Sequence, residues 1–429
     1  MNNKKTKYLI LGSGISGIYA SLILKDEDYC VIERENVPGG YCRTIKKDGY
    51  IWDYAGHFFH FADKEIKSFF ESKIDSSKLI YKEKNTKIRY KDLYIDYPFQ
   101  KNIHQLDKAE FIDCLYELYN KESMDFYSSF ETMLYGKFGR AITDKFLRPY
   151  NEKLYSCDLN ELDVDAMGRF FPYTDLDSVI KNMKHKTDDS YNNTFLYPKD
   201  GAEVFINALF SEVDSNKYFF NQDILSVNLK NKIVKTTQGS FYYEYLINTI
   251  PFDKFLSLTE DYSYSKKDAE SLTSNKVLVF NLGFNKKSKL TNEHWVYIPS
   301  KNINFYRIGF YDNILNSDKL SMYVEIGYQS AIETKDIDIE NELELTITNL
   351  KKLDIIDDHT LVSYESIIMD PAYVHISKDS NKFKAKCFSD LIEQDVYMVG
   401  RYGQWKYCSI EDSMLDARNA IKMIKDKQV

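Results

Sequence analysis

Three glycines and one acid are the residues in this chain whose spacing most directly implies chemistry. Gly12, Gly14 and Gly17 stand in Gly12-Ser13-Gly14-Ile15-Ser16-Gly17, directly after the apolar run Tyr8–Leu11, and Glu33 comes sixteen residues past Gly17. Glycine at the first position permits a tight turn out of a strand, and at the second it lets the backbone approach a pyrophosphate. At the third it lets the following helix pack close to the strand. That helix, expected over Ile18–Leu24, offers free N–H groups and a positive dipole end to the same pyrophosphate. A second apolar strand, Tyr29–Ile32, ends on Glu33, whose carboxylate is placed to bond ribose hydroxyls. Strand, glycine turn, helix, strand and acid, in that order, point to dinucleotide binding.

Residues beyond the acid narrow the choice of dinucleotide. Gly39-Gly40-Tyr41-Cys42-Arg43-Thr44 and Tyr50-Ile51-Trp52-Asp53-Tyr54-Ala55-Gly56-His57 resemble the second glycine element of flavoproteins. Val396-Tyr397-Met398-Val399-Gly400-Arg401 reads as a buried strand ending in Gly-Arg, which closes an FAD site. An NAD dehydrogenase has no need of such a return. The expected FAD set is therefore Gly12, Gly14, Ser16, Gly17, Glu33, Gly40, Gly56, His57, Gly400, Arg401 and Ser413.

Composition sets the outer bounds. At 429 residues the chain has room for two or three domains with ample core. A formal charge of −8 argues against a nucleic-acid surface, so an anionic small substrate would have to be held by local arginines. The six cysteines form no CxxC pair and no metal-ligand spacing, which fits reduced thiols, a cytoplasmic protein and no metal centre. Neither a signal peptide nor an apolar run approaching a membrane span is expected. With 35 Tyr and 27 Phe, some aromatic faces should line a flavin or nucleotide pocket.

The elements that must position these residues come in blocks. Residues 1–60 are βαβ-type, followed by a helix at Lys64–Ser72 and a hairpin of Lys87–Tyr90 and Leu93–Asp96. Helical periodicity runs through Ala109–Asn120, Ser123–Tyr135, Ile142–Phe146 and Val179–Lys184. An antiparallel meander is expected over Ile224–Leu229, Lys232–Thr237 and Phe241–Asn248. Strands at Lys276–Leu282, His294–Ile298, Phe305–Phe310 and Ser321–Ile326 suggest a mixed sheet flooring the substrate site, and helices are expected at Ile339–Lys352 and Asp412–Lys427. The fold class is α/β: a discontinuous Rossmann-like FAD-binding domain (1–62, 198–255 and 390–429) with an inserted helical cap (100–195). A substrate-side antiparallel or mixed β-sheet domain (63–99 and 256–389) completes it.

Four further segments carry a resemblance. They are Tyr97-Pro98-Phe99-Gln100-Lys101-Asn102-Ile103, Phe146-Leu147-Arg148-Pro149-Tyr150-Asn151-Glu152-Lys153-Leu154-Tyr155, Phe305-Tyr306-Arg307, and Gly400-Arg401-Tyr402-Gly403-Gln404-Trp405-Lys406-Tyr407. With the flavin elements, they make nearly the whole chain resemble the UDP-galactopyranose mutases, particularly the eukaryotic-type branch. The resemblance implies a flavin-dependent isomerase that interconverts pyranose and furanose forms of a nucleotide-diphosphate sugar, for surface glycan biosynthesis. In that family reduced FAD attacks the anomeric carbon through N5, the nucleoside diphosphate is expelled and later recaptured, and no net redox change results. It also implies that Arg307, Tyr373 and Tyr407 hold the diphosphate, and that His57 stands beside the flavin. Gln100, Asn151, Tyr155 and Arg169 would contact the nucleotide sugar. Lys84, Thr86, Arg89 and Tyr97 lie where the family admits NAD(P)H, the external reductant.

The chain also departs from the family. Tyr155 replaces its tryptophan, gap-free spacing puts Phe170 rather than Arg169 in the slot of its second arginine, and Leu196 replaces a further arginine. Retained diphosphate contacts with altered uridine contacts widen the expected substrate to UDP-galactose or a related nucleotide sugar. Two other readings stay open: an amine-oxidase or protoporphyrinogen-oxidase-like FAD oxidoreductase, and a non-catalytic flavin-binding module. The sequence is compatible with an oligomer as well as with a single chain.

Overall fold

The computed structural model describes residues 2–121, 125–185 and 193–428. Its first layer is a five-stranded parallel sheet ordered Tyr218–Phe219, Tyr29–Ile32, Tyr8–Leu11, Tyr245–Asn248, Val396–Met398. The strands come from widely separated stretches because each is a short apolar run that must be covered on both faces. Alternation along Tyr8–Leu11 sends Tyr8 and Ile10 toward the helices Ile15–Ile23 and Ile410–Lys427, while Leu9 and Leu11 face the core that contains Phe252, Leu391 and Trp405. The first of those helices packs closely on the turn before it. A Cβ at Gly17 would fall 2.0 Å from the Gly12 carbonyl oxygen, closer than any side chain allows.

A seven-stranded sheet forms the second layer, in the order Leu361–Met369, Lys276–Phe284, Ser321–Tyr328, Arg307–Phe310, Trp295–Tyr297, Thr86–Tyr90, Leu93–Asp96. All its neighbours are antiparallel except Trp295–Tyr297 with Thr86–Tyr90, which run parallel. Every residue of Lys276–Phe284 is buried, with Val277 and Val279 facing the cap side and Leu278, Phe280 and Leu282 facing the core that includes Leu350 of the helix Ile339–Lys352. Each such side chain contributes about 1.5–3 kcal/mol by leaving water. Helices Lys108–Asn120, Phe130–Ile142, Arg148–Tyr155 and Leu176–Lys184 lie over the other side.

The structure corrects several expected boundaries. The segment Phe241–Asn248 is two strands. Gly239–Tyr242 completes the meander and pairs with Asn2–Lys5, whereas Tyr245–Asn248 enters the parallel sheet. The break falls where the Glu244 and Tyr245 N–H groups both donate to the Lys7 carbonyl. The helix expected over Ser123–Tyr135 begins at Phe130, because Ser129 and Thr132 form a reciprocal cap there. Residues 123 and 124 of that expectation lie outside the described residues. The segment Ile142–Phe146 becomes a wide π-type turn, Thr143–Leu147, joining Phe130–Ile142 to Arg148–Tyr155. Among the elements not anticipated are the strand Leu361–Met369, whose apolar residues are interrupted by Ser363, Glu365 and Ser366, and the helices Arg148–Tyr155, Glu203–Phe210 and Lys378–Glu393. Among the described residues no helix is long and apolar enough to cross a membrane.

The packing at Gly17 makes a direct prediction. Gly17→Ala sets a methyl against backbone that cannot swing away, so it should destabilise the protein by about 1–3 kcal/mol or more. Chemical denaturation reads this, and wild-type stability in the variant would contradict the close packing.

Candidate active site

The glycine turn builds a cradle with open space at one point. Gly12 takes φ +93°, and a Cβ there would lie 2.7 Å from Thr249 Oγ1. Around Gly14 the reverse holds: a Cβ would meet nothing within 4 Å. Gly14 also caps the helix Ile15–Ile23 without a side-chain bond, so the first N–H groups of the helix are left for a ligand. The second glycine element closes onto this point, with the would-be Cβ of Gly40 3.2 Å from Gly14 Cα. The returning strand arrives through Gly400 (φ +78°), whose would-be Cβ lies 2.3 Å from Ser16 Oγ and 3.9 Å from Ser413 Cβ. Glu33 Oε2 accepts from the Ser13 N–H (2.7 Å) and hydroxyl (2.8 Å), which fixes the acid beside the turn. Open space above Gly14, bare helix N–H groups and a held acid fit a dinucleotide cofactor.

A second set of groups gathers at the sheet. Arg307 begins its strand directly opposite Glu325, and the shared face turns both side chains the same way. Arg307 Nε donates to Glu325 Oε2 (2.8 Å) and Nη2 to Oε1 (2.7 Å), a bidentate pair with Glu325 only 1% exposed. Burial works against the Arg307 charge, and Glu325 more than offsets it, so the guanidinium is held firmly protonated. The same Nη2 stands 3.4 Å from the Tyr373 hydroxyl. Tyr373 stacks on Tyr407 with ring centres 6.0 Å apart, and the Arg401 guanidinium lies 4.9 Å from the Tyr407 ring and 5.2 Å from that of Tyr373. Tyr155 meets the edge of Tyr373 at 6.1 Å. The predicted Arg307, Tyr373, Tyr407, Arg401 and Tyr155 are therefore brought together.

Several buried polar atoms here have no protein partner: Arg401 Nε, the Tyr155 and Tyr306 hydroxyls, Asn151 Oδ1 and Gln100 Oε1. Leaving such a group unpaired in the interior costs about 1–3 kcal/mol, so each of these atoms is open to a polar ligand. Asn151 and Gln100 are anchored by their amide nitrogens, to the carbonyls of Leu147 and Pro172, and this leaves the oxygens available. His57 Nδ1 lies 3.1 Å from the Ala55 carbonyl. Burial, with the nearby charges of Arg401 and Arg307, pushes its imidazole down to about 4, so it is neutral at pH 7. With Nδ1–H donating, Nε2 is an acceptor. Gly56 beside it admits Tyr323, whose hydroxyl would lie 2.4 Å from a Cβ.

Other predicted residues sit differently. Arg169 is at the rim, bound to Asp412 Oδ1 at 2.6 Å with more than half its side chain exposed, while its neighbour Phe170 meets the Tyr407 ring edge at 5.2 Å. Of the hairpin set, Lys84 and Tyr97 come together, with Lys84 Nζ 4.8 Å from the Tyr97 ring centre and 5.8 Å from that of Trp295. The Thr86 hydroxyl is buried without a partner. Arg89 turns away, onto Tyr94 and Asp92. Sequence reasoning missed Glu325, although a single acid inside the apolar run Met322-Tyr323-Val324-Glu325-Ile326 is a visible signal. It also missed the aromatic wall of Trp295, Tyr297, Tyr150 and Tyr306 and the buried Asp53. That carboxyl accepts from Thr44, Tyr197 and the Ala202 N–H, and burial pushes it up to about 6. Outside the site, Asp357, Asp358 and His359 form an exposed group in which Lys286 already binds both carboxylates.

Residues 10–72 match the NAD(P)-binding Rossmann-like domain family. Across the whole chain, the crystal structure of reduced UDP-galactopyranose mutase superposes with a TM-score of 0.91 at 22% identity, covering 98% of this chain and 96% of that one. The chain has the fold of a UDP-galactopyranose mutase. More distant folds also align. A protein proposed to be a protoporphyrinogen oxidase from Exiguobacterium sp. 255-15 gives 0.78 at 15% identity, with both chains fully covered. Wild-type putrescine oxidase bound to putrescine gives 0.64 at 13%, covering 99% and 100%. The match to the mutase fold runs over nearly the whole chain, and its architecture is shared with oxidoreductases.

The buried pair at the centre of this site is testable by removing one partner. Glu325→Ala leaves Arg307 charged and uncompensated, which should cost about 3–5 kcal/mol of stability, and Glu325→Gln should cost less because an acceptor remains. Urea titration distinguishes them. An alanine variant as stable as the parent would show that Arg307 does not need its partner.

Proposed function

We propose that the chain is a member of the UDP-galactopyranose mutase family, an FAD-dependent isomerase that interconverts pyranose and furanose forms of a nucleotide-diphosphate sugar. The observation that carries this reading is the convergence of Arg307, Arg401, Tyr373, Tyr407 and Tyr155 around unpaired buried polar atoms, next to His57 and the glycine cradle. Reduced FAD, when bound, would supply a nucleophile for the anomeric carbon and take back the same electrons, leaving no net redox change.

The remaining work falls to the protein's own residues. Gly12, Gly14 and Gly17, with Ser16, Gly40, Gly400, Arg401 and Ser413, would hold the cofactor, and Glu33 its ribose. Arg307 keeps its Nη1 donors free of Glu325 and offers them, with the Tyr373 and Tyr407 hydroxyls, to phosphate oxygens. Holding the expelled diphosphate nearby favours recapture over hydrolysis. Tyr155, Gln100 and Asn151 would bond the nucleotide sugar, with Arg169 at the rim. Neutral His57 presents an acceptor beside the cofactor. NAD(P)H is the proposed reductant, the cytoplasm the proposed compartment, and surface polysaccharide assembly the proposed use of the furanose. The oxidase reading shares the fold, but cationic or neutral substrates such as amines have no use for two arginines and a set of tyrosine donors.

Dithionite-reduced holoprotein mixed with UDP-galactose, GDP-sugars and dTDP-sugars should yield furanose product by HPLC, without stoichiometric NAD(P)H consumption. Oxidised protein should yield none. Sustained oxygen uptake with a dehydrogenated product would sink the mutase reading in favour of an oxidase.

Arg307→Ala should lower kcat/KM by about ten- to several-hundred-fold, the loss of a charged bond worth about 1.5–3 kcal/mol together with an unpaired anion. Because this variant also strands Glu325, Arg307→Lys is the control: it keeps the charge but loses the fork, so only part of the activity should return. Tyr373→Phe and Tyr407→Phe should each cost about 0.5–1.5 kcal/mol. Full activity in both Arg307 variants would place the diphosphate elsewhere.

A further inference from the structure

Glu325 balances Arg307, so the most central arginine of the pocket adds no net charge to it. A nucleotide-diphosphate sugar brings a pair of negative charges, and Arg401 alone answers one of them. A second cation is present. Lys84 precedes the strand Thr86–Tyr90, which pairs with Trp295–Tyr297, itself paired with Arg307–Phe310. Its ammonium lies against the faces of Tyr97 and Trp295, and among the described residues it meets no carboxylate and donates no hydrogen bond. An ammonium with only aromatic faces for company is left short of acceptors. Tyr97 meets the edge of Tyr297 with ring centres 5.3 Å apart, and Tyr297 stands directly opposite Arg307 in the sheet, so the lysine belongs to the same pocket.

We infer that Lys84 supplies the second uncompensated positive charge of the diphosphate site. The inference rests on the nucleotide-sugar reading above and assigns Lys84 to substrate phosphate rather than to a nicotinamide reductant. In the free protein, burial and then the Arg307 charge lower the ammonium to about 8. The groups facing it hold their charge states through this range. Arg307 stays protonated, burial drives His60 down to about 4, and burial raises both Tyr97 and Tyr297 above the ordinary phenol value. Lys84 therefore loses its charge as pH rises through about 8, and bound diphosphate opposes that loss. Affinity for diphosphate should fall between pH 7 and pH 9 in the parent protein.

Calorimetric titration of the FAD-loaded protein with UDP, GDP, dTDP and ADP identifies the nucleotide the parent binds, and that nucleotide is then titrated into Lys84→Met and Lys84→Arg. Lys84→Met, which keeps the stem and removes the charge, should weaken binding about ten- to a hundred-fold and flatten the fall between pH 7 and pH 9. Lys84→Arg should stay within about threefold of the parent and also lose that pH dependence, because arginine stays charged. The rate of flavin reduction by NAD(P)H should be unchanged in both. Parent-like diphosphate binding by Lys84→Met overturns the inference, and so does a loss confined to NAD(P)H reduction or to the sugar-bearing nucleotide. A parent protein that binds none of the four nucleotides overturns the nucleotide-sugar reading itself, and the role of Lys84 with it.

Discussion

Burying the Arg307 guanidinium requires a counter-charge within reach, and the antiparallel register that sets Glu325 directly opposite supplies one. The strands Arg307–Phe310 and Ser321–Tyr328 must hold that register, since a one-residue slip would turn Glu325 to the opposite, apolar face, against Leu278, Phe280 and Ile308. The pair then fixes the guanidinium plane, which places one Nη beside Tyr373 and leaves the other for a ligand. Tyr407, stacked on Tyr373, and Arg401, lying against both rings, are positioned from that arrangement.

The cofactor cradle and the anion pocket are built on different sheets, and Gly400-Arg401 joins them. Gly400 closes on Ser16 at the glycine turn, while the next residue reaches into the tyrosine cluster. One dipeptide therefore sets the distance between the glycine turn and the tyrosine cluster. The C-terminal helix behind it is held by the reciprocal Ser409–Asp412 cap, and Asp412 also binds Arg169 at the rim. This explains why a strand so far along the chain must return to the first sheet.

The glycine turn, its flanking strands and the acid were legible because each carries a local requirement: a positive φ at Gly12, a close approach at Gly17, open space at Gly14. The helix Ile339–Lys352 has the bounds expected of it, residue for residue. Other features depended on tertiary partners and were not legible. Leu361–Met369 is a strand because Lys276–Phe284 needs a neighbour on that edge, a fact its polar interruptions conceal. Phe241–Asn248 splits because Lys7 offers its carbonyl to two successive N–H groups. At the site, motif context picked out arginines and tyrosines that the fold brings together, but nothing local showed that Glu325 would neutralise Arg307, or that Lys84 and Arg89, five residues apart at the start of one hairpin, would turn to different surroundings.

On the proposed reading, the Arg307, Arg401 and tyrosine cluster receives a diphosphate beside a flavin. A crystal structure of the reduced holoprotein with a bound nucleotide-diphosphate sugar tests it most directly. Phosphate oxygens should lie within hydrogen-bond distance of Arg307 and of the Tyr373 and Tyr407 hydroxyls, with the Arg307–Glu325 pair intact and the sugar ring against the flavin. A diphosphate bound at the protein surface, with the cluster filled only by water, would contradict it.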